Sequence, residues 1–165
     1  MAQPGRPRAV LLGLVNGIAD GNPEGLPELY AEQIDGVHPF DPLHGAAFRS
    51  RDDIRQAMER LAAGPRPRRR VCNVTIHETT GPEVIVAEFE YQGTTDAGEP
   101  YALPAIFVMR VRNGEIVSSR DYHDHLASAR AAGRLGELFA ALSAQAAAPA
   151  PADPTSGHRD RHSPR

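Results

Sequence analysis

The sequence predicts an α+β fold: a cone-shaped roll whose curved antiparallel sheet wraps around N-terminal helices, with a C-terminal helical extension. Three observations carry this. Val10, Leu14 and Ile18, joined by Leu11 and Val15, recur at helical spacing in the first segment. From "RRRVCNVTIHET" onward the period drops to two, through four long runs joined by "TGPE", "TTDAGE" and "NG". After His125 the helical period returns in Leu135, Leu138, Phe139 and Leu142.

The elements follow in order. A helix is expected over about 8–20 and, past the punctuation "DGNPEG", a short second helix over about 23–30. "IDGVHPF" reads as a short strand ended by Pro39, and "DPLHG" as a loop. "SRDDIRQAMERLAAG" is a third helix, with Ser50 as its cap, Asp53 as the acid of a capping box and Gly64 as its stop. Four strands then form a meander, closed by a two-residue hairpin at Asn113–Gly114. Pro104, lacking an amide proton, predicts an edge position or a bulge. Gly133 divides the last helical region. The domain is expected over 8–146, between a frayed 1–7 and a low-complexity tail over 147–165.

Bulk properties narrow the function. A chain of 165 residues suits one domain, and a net charge of −3 with mixed signs provides no field for nucleic acid. The arginines of "PRPRRR" lack an aromatic platform and read as a solvated loop. A single cysteine, Cys72, leaves no disulfide and no thiolate zinc site, which suits a cytoplasmic setting. Arg6 and Arg8 precede the apolar run "AVLLGLVNGIA", but Asn16 and two glycines interrupt it, so a helix is expected rather than a signal peptide. No run approaches the roughly 20 apolar residues of a membrane span. No glycine-rich phosphate loop or dinucleotide fingerprint is present, so no cofactor is expected.

Two stretches and one lone histidine carry candidate chemistry. In "SSRDYHDH", Ser119, Asp121, His123 and His125 share a parity, which fits a metal site, an acid–base site or ordinary strand-end polarity. The strand is expected to end near His123, which turns His125 onto the following helix; no metal is expected. In "VIVAEFEYQ", Ile85, Ala87, Phe89 and Tyr91 lie on one face, and Glu88 and Glu90 on the other with Val84 and Val86. A carboxylate held in apolar surroundings has a raised pKa and suits general acid work, which marks Glu88 first and Glu90 second. His38 stands at a strand end before Pro39. Tyr101, Leu103 and Ala105 share one face as pocket wall. A curved sheet incompletely covered by helices leaves a pocket, the default place for function.

Together, "LPELYAEQIDGVHPF", "FRSRDDIRQAMERL", "VIVAEFEYQG" and "FVMRVRNGEIVSSRDYHDH" resemble the nuclear transport factor 2-like superfamily, and within it the SnoaL-like proteins. Limonene-epoxide hydrolases, ketosteroid isomerases and phenazine-biosynthesis A/B proteins are relatives. The resemblance implies that Asp121 matches a catalytic carboxylate of the hydrolases and Glu90 their second, while Glu88 replaces the arginine between them. Their epoxide-opening triad therefore cannot form. His38 matches the position of the isomerases' base, but "LPAIFVM" has no oxyanion-hole acid and the first helix no tyrosine. The resemblance further implies a cofactor-free, metal-free pocket and a homodimer paired through the outer sheet face. The expected function is acid–base catalysis on a small hydrophobic metabolite by an isomerase, cyclase, dehydratase or hydrolase. Asp121, His38, Glu90 and Glu88 are its candidate catalytic residues. His123, Ser119, Leu103, Ala105 and Tyr101 are the candidate substrate-binding residues. The alternative is a binding or assembly module without catalysis. Neither nucleic acid nor membrane is an expected partner.

Overall fold

The first apolar stripe forms helix α1 (Arg6–Ala19), whose Leu11, Leu14 and Val15 are fully buried. The computed structural model describes residues 6–45, 47–64 and 69–147. After α1 come β1 (Tyr30–Val37), β2 (Ala47–Ser50), α2 (Arg51–Ala63), β3 (Arg69–Glu78), β4 (Val84–Thr94), β5 (Pro100–Arg112), β6 (Glu115–His123), α3 (His125–Ala131) and α4 (Leu135–Ala147). The sheet order is β2-β1-β6-β5-β4-β3. The two ends of this order are not paired with each other, so the sheet stays open. Its register shifts within β1, between β3 and β4, and between β5 and β6, and such irregularities bend strands. Helix α1 packs across β3, β4 and β5, and α2 across β1 and β2.

Local chemistry explains the boundaries. Ser50 Oγ accepts from the Asp53 amide, and the Asp53 carboxylate accepts from the Ser50 amide at 2.9 Å, completing the expected capping box of α2. Asn113 and Gly114 take φ of 52° and 88°, the double positive value of the tight turn expected between β5 and β6. Arg51, at the start of α2, donates to the Tyr30 carbonyl at 2.7 Å, Glu32 at 2.7 Å and Glu115 at 2.8 Å. One half-buried guanidinium thus ties α2 to β1 and β6.

Three expectations need correction. The second helix shrinks to a 3-10 turn at Pro27–Leu29, because Pro23, Gly25 at φ 81° and Pro27 break the segment; alternation with Tyr30 and Ile34 buried then opens β1 earlier than expected. The four-residue β2 was too short to show a period. The sheet is mixed, because β1 returns through β2 and α2 and lies parallel to β6. Pro104 makes no bulge: it pairs in register with Glu90, and it lies one residue past the last β5 residue that β6 reaches, Ala105 opposite His123, so its β6-facing side is the local edge expected of a residue with no amide proton. Expectations for residues 1–5, 66–68 and the tail beyond Ala147 fall outside the described residues.

Candidate functional site

Between the sheet and the helices lies a cavity of about 270 Å³. Its wall includes Tyr30, His38, Phe48, Arg69, Tyr91, Leu103, Phe107, Ser119, Asp121 and His123. Strand pairing explains the convergence. Ala87 sits opposite Phe107 and Phe107 opposite Asp121, while Phe89 sits opposite Ala105 and Ala105 opposite His123. Residues directly opposite in antiparallel strands share a face, so Asp121 and His123 point inward with the aromatic core. The parallel partner β1 brings Gly36 beside Ser119, and His38 follows at its end. A smaller chamber of about 90 Å³ shares Ile18, Met58, Leu61, Arg69 and Leu103 with the cavity and adds Tyr101.

The electrostatics follow from burial. Asp121 is 9% exposed and Ser119 3%, in a core otherwise made of apolar side chains and two tyrosines. Burial raises the Asp121 carboxyl to about 7, against the lowering pull of the Ser119 hydroxyl and of Arg120. Ser119 Oγ donates to Asp121 Oδ1. Asp121 Oδ2 stands 3.6 Å from His38 Nε2, too long for a direct hydrogen bond and short enough for both to reach one water or substrate atom. Burial lowers His38 to about 4, helped by neighbouring His125 and opposed by Asp41. His123 falls to about 3, again chiefly by burial. At neutral pH these imidazoles are uncharged and Asp121 shares its population between acid and carboxylate.

Sequence reasoning missed several members of the site. Tyr30 was assigned to a helix end, yet it lines the cavity, and burial and the Asp121 charge raise its phenol well above the ordinary value. The Tyr91 phenol is also raised by burial and by Asp121, against Arg69, whose guanidinium lies 4.5 Å over its ring. The hydroxyls of Tyr91 and Tyr101 are buried without a hydrogen-bond partner. Parity had placed Tyr91 with Phe89; what it could not supply was the turn of Arg69 inward from an arginine-rich segment. Arg69 also donates to the Ile18 carbonyl at 3.3 Å.

His125 begins α3, as the sequence suggests, but its ring turns back and stacks on His123 at 4.0 Å. The His38 ring stands 4.9 Å from His123 and 5.7 Å from His125. One nitrogen of each imidazole lies within 4.8 Å of the others.

The glutamates do not join this site. Unbroken β4–β5 pairing preserves the alternation that buries Phe89 and Tyr91, so Glu88 and Glu90 face outward. Glu88 pairs with His77 at 2.7 Å, and Glu90 accepts from Asn73 at 3.1 Å and Gln92 at 2.7 Å. The ungapped count that aligned Glu90 with a catalytic acid carries the wrong parity: the cavity positions on β4 are Phe89 and Tyr91. An outer groove does run past Glu88, Glu90, Pro104, Ile106, Tyr122 and Leu126, and His123 lines both spaces. Ala105 is buried and borders that groove. Arg120 and Tyr122 also face away from the cavity, and both find partners within the chain. Arg120 donates to Asp35 at 2.5 Å, and Tyr122 meets Phe40 edge-on at 5.3 Å.

Comparison with known proteins agrees with this architecture. The model of the SnoaL-like domain family matches residues 12–119. A putative isomerase from Bacillus subtilis superposes with a TM-score of 0.70 at 20% identity, covering 81% of this chain and 97% of that one. A putative polyketide cyclase from Xanthomonas campestris gives 0.59 at 17%, covering 86% and 99%. A hypothetical protein with a ketosteroid isomerase-like fold from Catenulispora acidiphila gives 0.57 at 22%, covering 74% and 92%. No curated protein matches. The family model spans α1 through most of β6, and the solved structures repeat the same α+β cone, so this chain belongs to the SnoaL-like domain family.

Proposed function

We propose that this protein is a cofactor-independent acid–base enzyme that moves a proton on a small hydrophobic carbonyl compound, in an isomerase- or cyclase-type reaction. The observation that carries the reading is the Asp121 carboxyl, buried in an apolar cavity and raised to about 7 beside His38. A general base works best when its pKa lies near the working pH. The Asp121 carboxylate removes a proton from carbon next to the substrate carbonyl, and the resulting acid returns it at a second position. Ser119 orients the carboxyl through its hydrogen bond. The neutral His38 imidazole donates to the developing oxyanion, as does the unpartnered Tyr91 hydroxyl. Leu103 and Phe107 hold the apolar body of the substrate. The names of two structural neighbours, an isomerase and a polyketide cyclase, fit this reaction class.

The reading is preferred over simple binding because His38 and Asp121 reach a common point. Its test is solvent-deuterium exchange into small cyclic ketones and enones, followed by NMR. The wild-type chain accelerates exchange, and Asp121→Asn loses about 10²–10⁴-fold of that acceleration. Equal exchange by both proteins rejects the reading.

The expected homodimer belongs to this proposal as well. Ile106, Leu126 and Phe40 are exposed along the outer groove, at 41%, 46% and 68%. Exposed apolar side chains gathered along one groove are where a second copy would pack.

A further inference from the structure

We propose that His38, His123 and His125 form a binding site for a divalent zinc-type ion at the wall between the inner cavity and the outer groove. Three observations carry it. The three imidazoles come from the end of β1, the end of β6 and the start of α3, and one nitrogen of each lies within 4.8 Å of the other two. They are the one such cluster of potential ligands among the described residues. The Nε2 atom of His125 is buried with no hydrogen-bond partner. A buried polar atom left unpaired is costly, and an ion bound through that nitrogen satisfies it.

The alternative account, aromatic packing, explains the stack of His123 on His125 but leaves that nitrogen orphaned. Tetrahedral zinc places its ligand nitrogens about 3.4 Å apart, given bond lengths of about 2.05 Å. Reaching that geometry requires His123 and His125 to swing out of their stack so that their in-plane lone pairs converge with that of His38. Three histidines leave a fourth position open, the donor set of sites that also take water or substrate. Imidazole nitrogens favour zinc, cobalt or nickel over magnesium or calcium.

The nearby carboxylates have other duties. Asp124 accepts from the Ala127 amide at 2.9 Å and caps α3. Asp41 accepts from the Leu43 and Gly45 amides at 3.0 and 2.9 Å and shapes its loop. Asp121 accepts from Ser119 Oγ and, 3.6 Å from His38 Nε2, is kept for the proton chemistry. His123 lines both spaces, so the ion has an approach from the groove.

The inference stands apart from the proposed proton chemistry. A bound ion engages the imidazole lone pairs, His38 included, and leaves Asp121 as the group that exchanges a proton. The test uses the full chain with His158→Asn and His162→Asn in its tail, stripped by chelator and titrated calorimetrically with zinc alone. One ion binds per chain. His38→Gln, His123→Gln and His125→Gln each weaken binding by at least about tenfold, the lower bound of what second-layer partners alone carry. His77→Gln, on the outer face, leaves it unchanged. Undiminished affinity in all three triad variants, or no binding, overturns the proposal. Should the variants fail to fold, cobalt titrated into the unaltered triad reads the same point. The NMR signals of His38, His123 and His125 broaden first, and earlier broadening of His44 or His77 contradicts the site. Deuterium exchange on the chelated protein is scored separately, so loss of one reading is not mistaken for loss of the other.

Discussion

Asp121 Oδ2 lies 3.6 Å from His38 Nε2, and the two groups are shifted in opposite directions by the same burial. Neither shift is the signature of an ion pair: burial leads both, lifting the acid and lowering the imidazole. The pair therefore meets as neutral imidazole and titrating carboxyl.

This opposition predicts a pH dependence of stability in chelated protein. The Asp121 pKa is raised from 3.8 to about 7 in the fold, so its contribution is full below 3.8 and is lost as pH rises through about 7. His38 is lowered from 6.5 to about 4, so its contribution is present above 6.5 and is lost as pH falls through about 4. Asp121→Asn cannot ionise and removes only the alkaline loss. Between about pH 4 and about pH 8, the unfolding free energy of the variant should improve relative to wild type by about 2–4 kcal/mol. Urea unfolding across that range checks this; parallel curves contradict it.

Outward placement of the glutamates predicts indifference. Glu88→Gln and Glu90→Gln should leave carbonyl exchange within about twofold of wild type and change stability by about 1 kcal/mol or less. A loss comparable with that of Asp121→Asn places a glutamate in the chemistry after all.

Arg69 and Tyr91 add a stacked polar pair to the wall of the cavity that holds the proton-transfer pair. Tyr91→Phe removes an unpartnered donor without emptying space, so it should lower kcat about tenfold with little change in KM or stability. Arg69→Met should raise KM more than it lowers kcat. Steady-state kinetics on an accepted ketone separate the two patterns.

The outer groove predicts an association test. Ile106→Glu introduces a charge into the exposed strip and should shift a dimer to monomer in sedimentation equilibrium, with the exchange activity of each chain retained. A wild-type chain that already sediments as a monomer removes the second copy from the account.

Much of this architecture was legible in the chain. The meander, the Ser50–Asp53 cap and the Asn113–Gly114 turn each follow from local chemistry that tertiary packing does not override. Asp121 and His123 followed from parity along a single strand. The rest depended on distances between strands. Glu88 and Glu90 face outward against expectation, because neither a valine-rich neighbourhood nor an ungapped count from Asp121 fixes which face of β4 turns inward. Tyr30 was obscured by the proline- and glycine-rich segment before it. Only the His123–His125 part of the histidine cluster shows in sequence, since His38 meets His123 only through the parallel docking of β1 on β6.

The central claim is that Asp121 is a carboxyl poised near neutrality, and its own titration tests that most directly. With aspartate carboxyls carrying a 13C label, the Asp121 resonance of the chelated protein should titrate with a midpoint near 7, while His38 stays neutral down to about pH 5. A midpoint at the ordinary aspartate value of 3.8, with Asp121 ionised throughout the neutral range, would contradict the account.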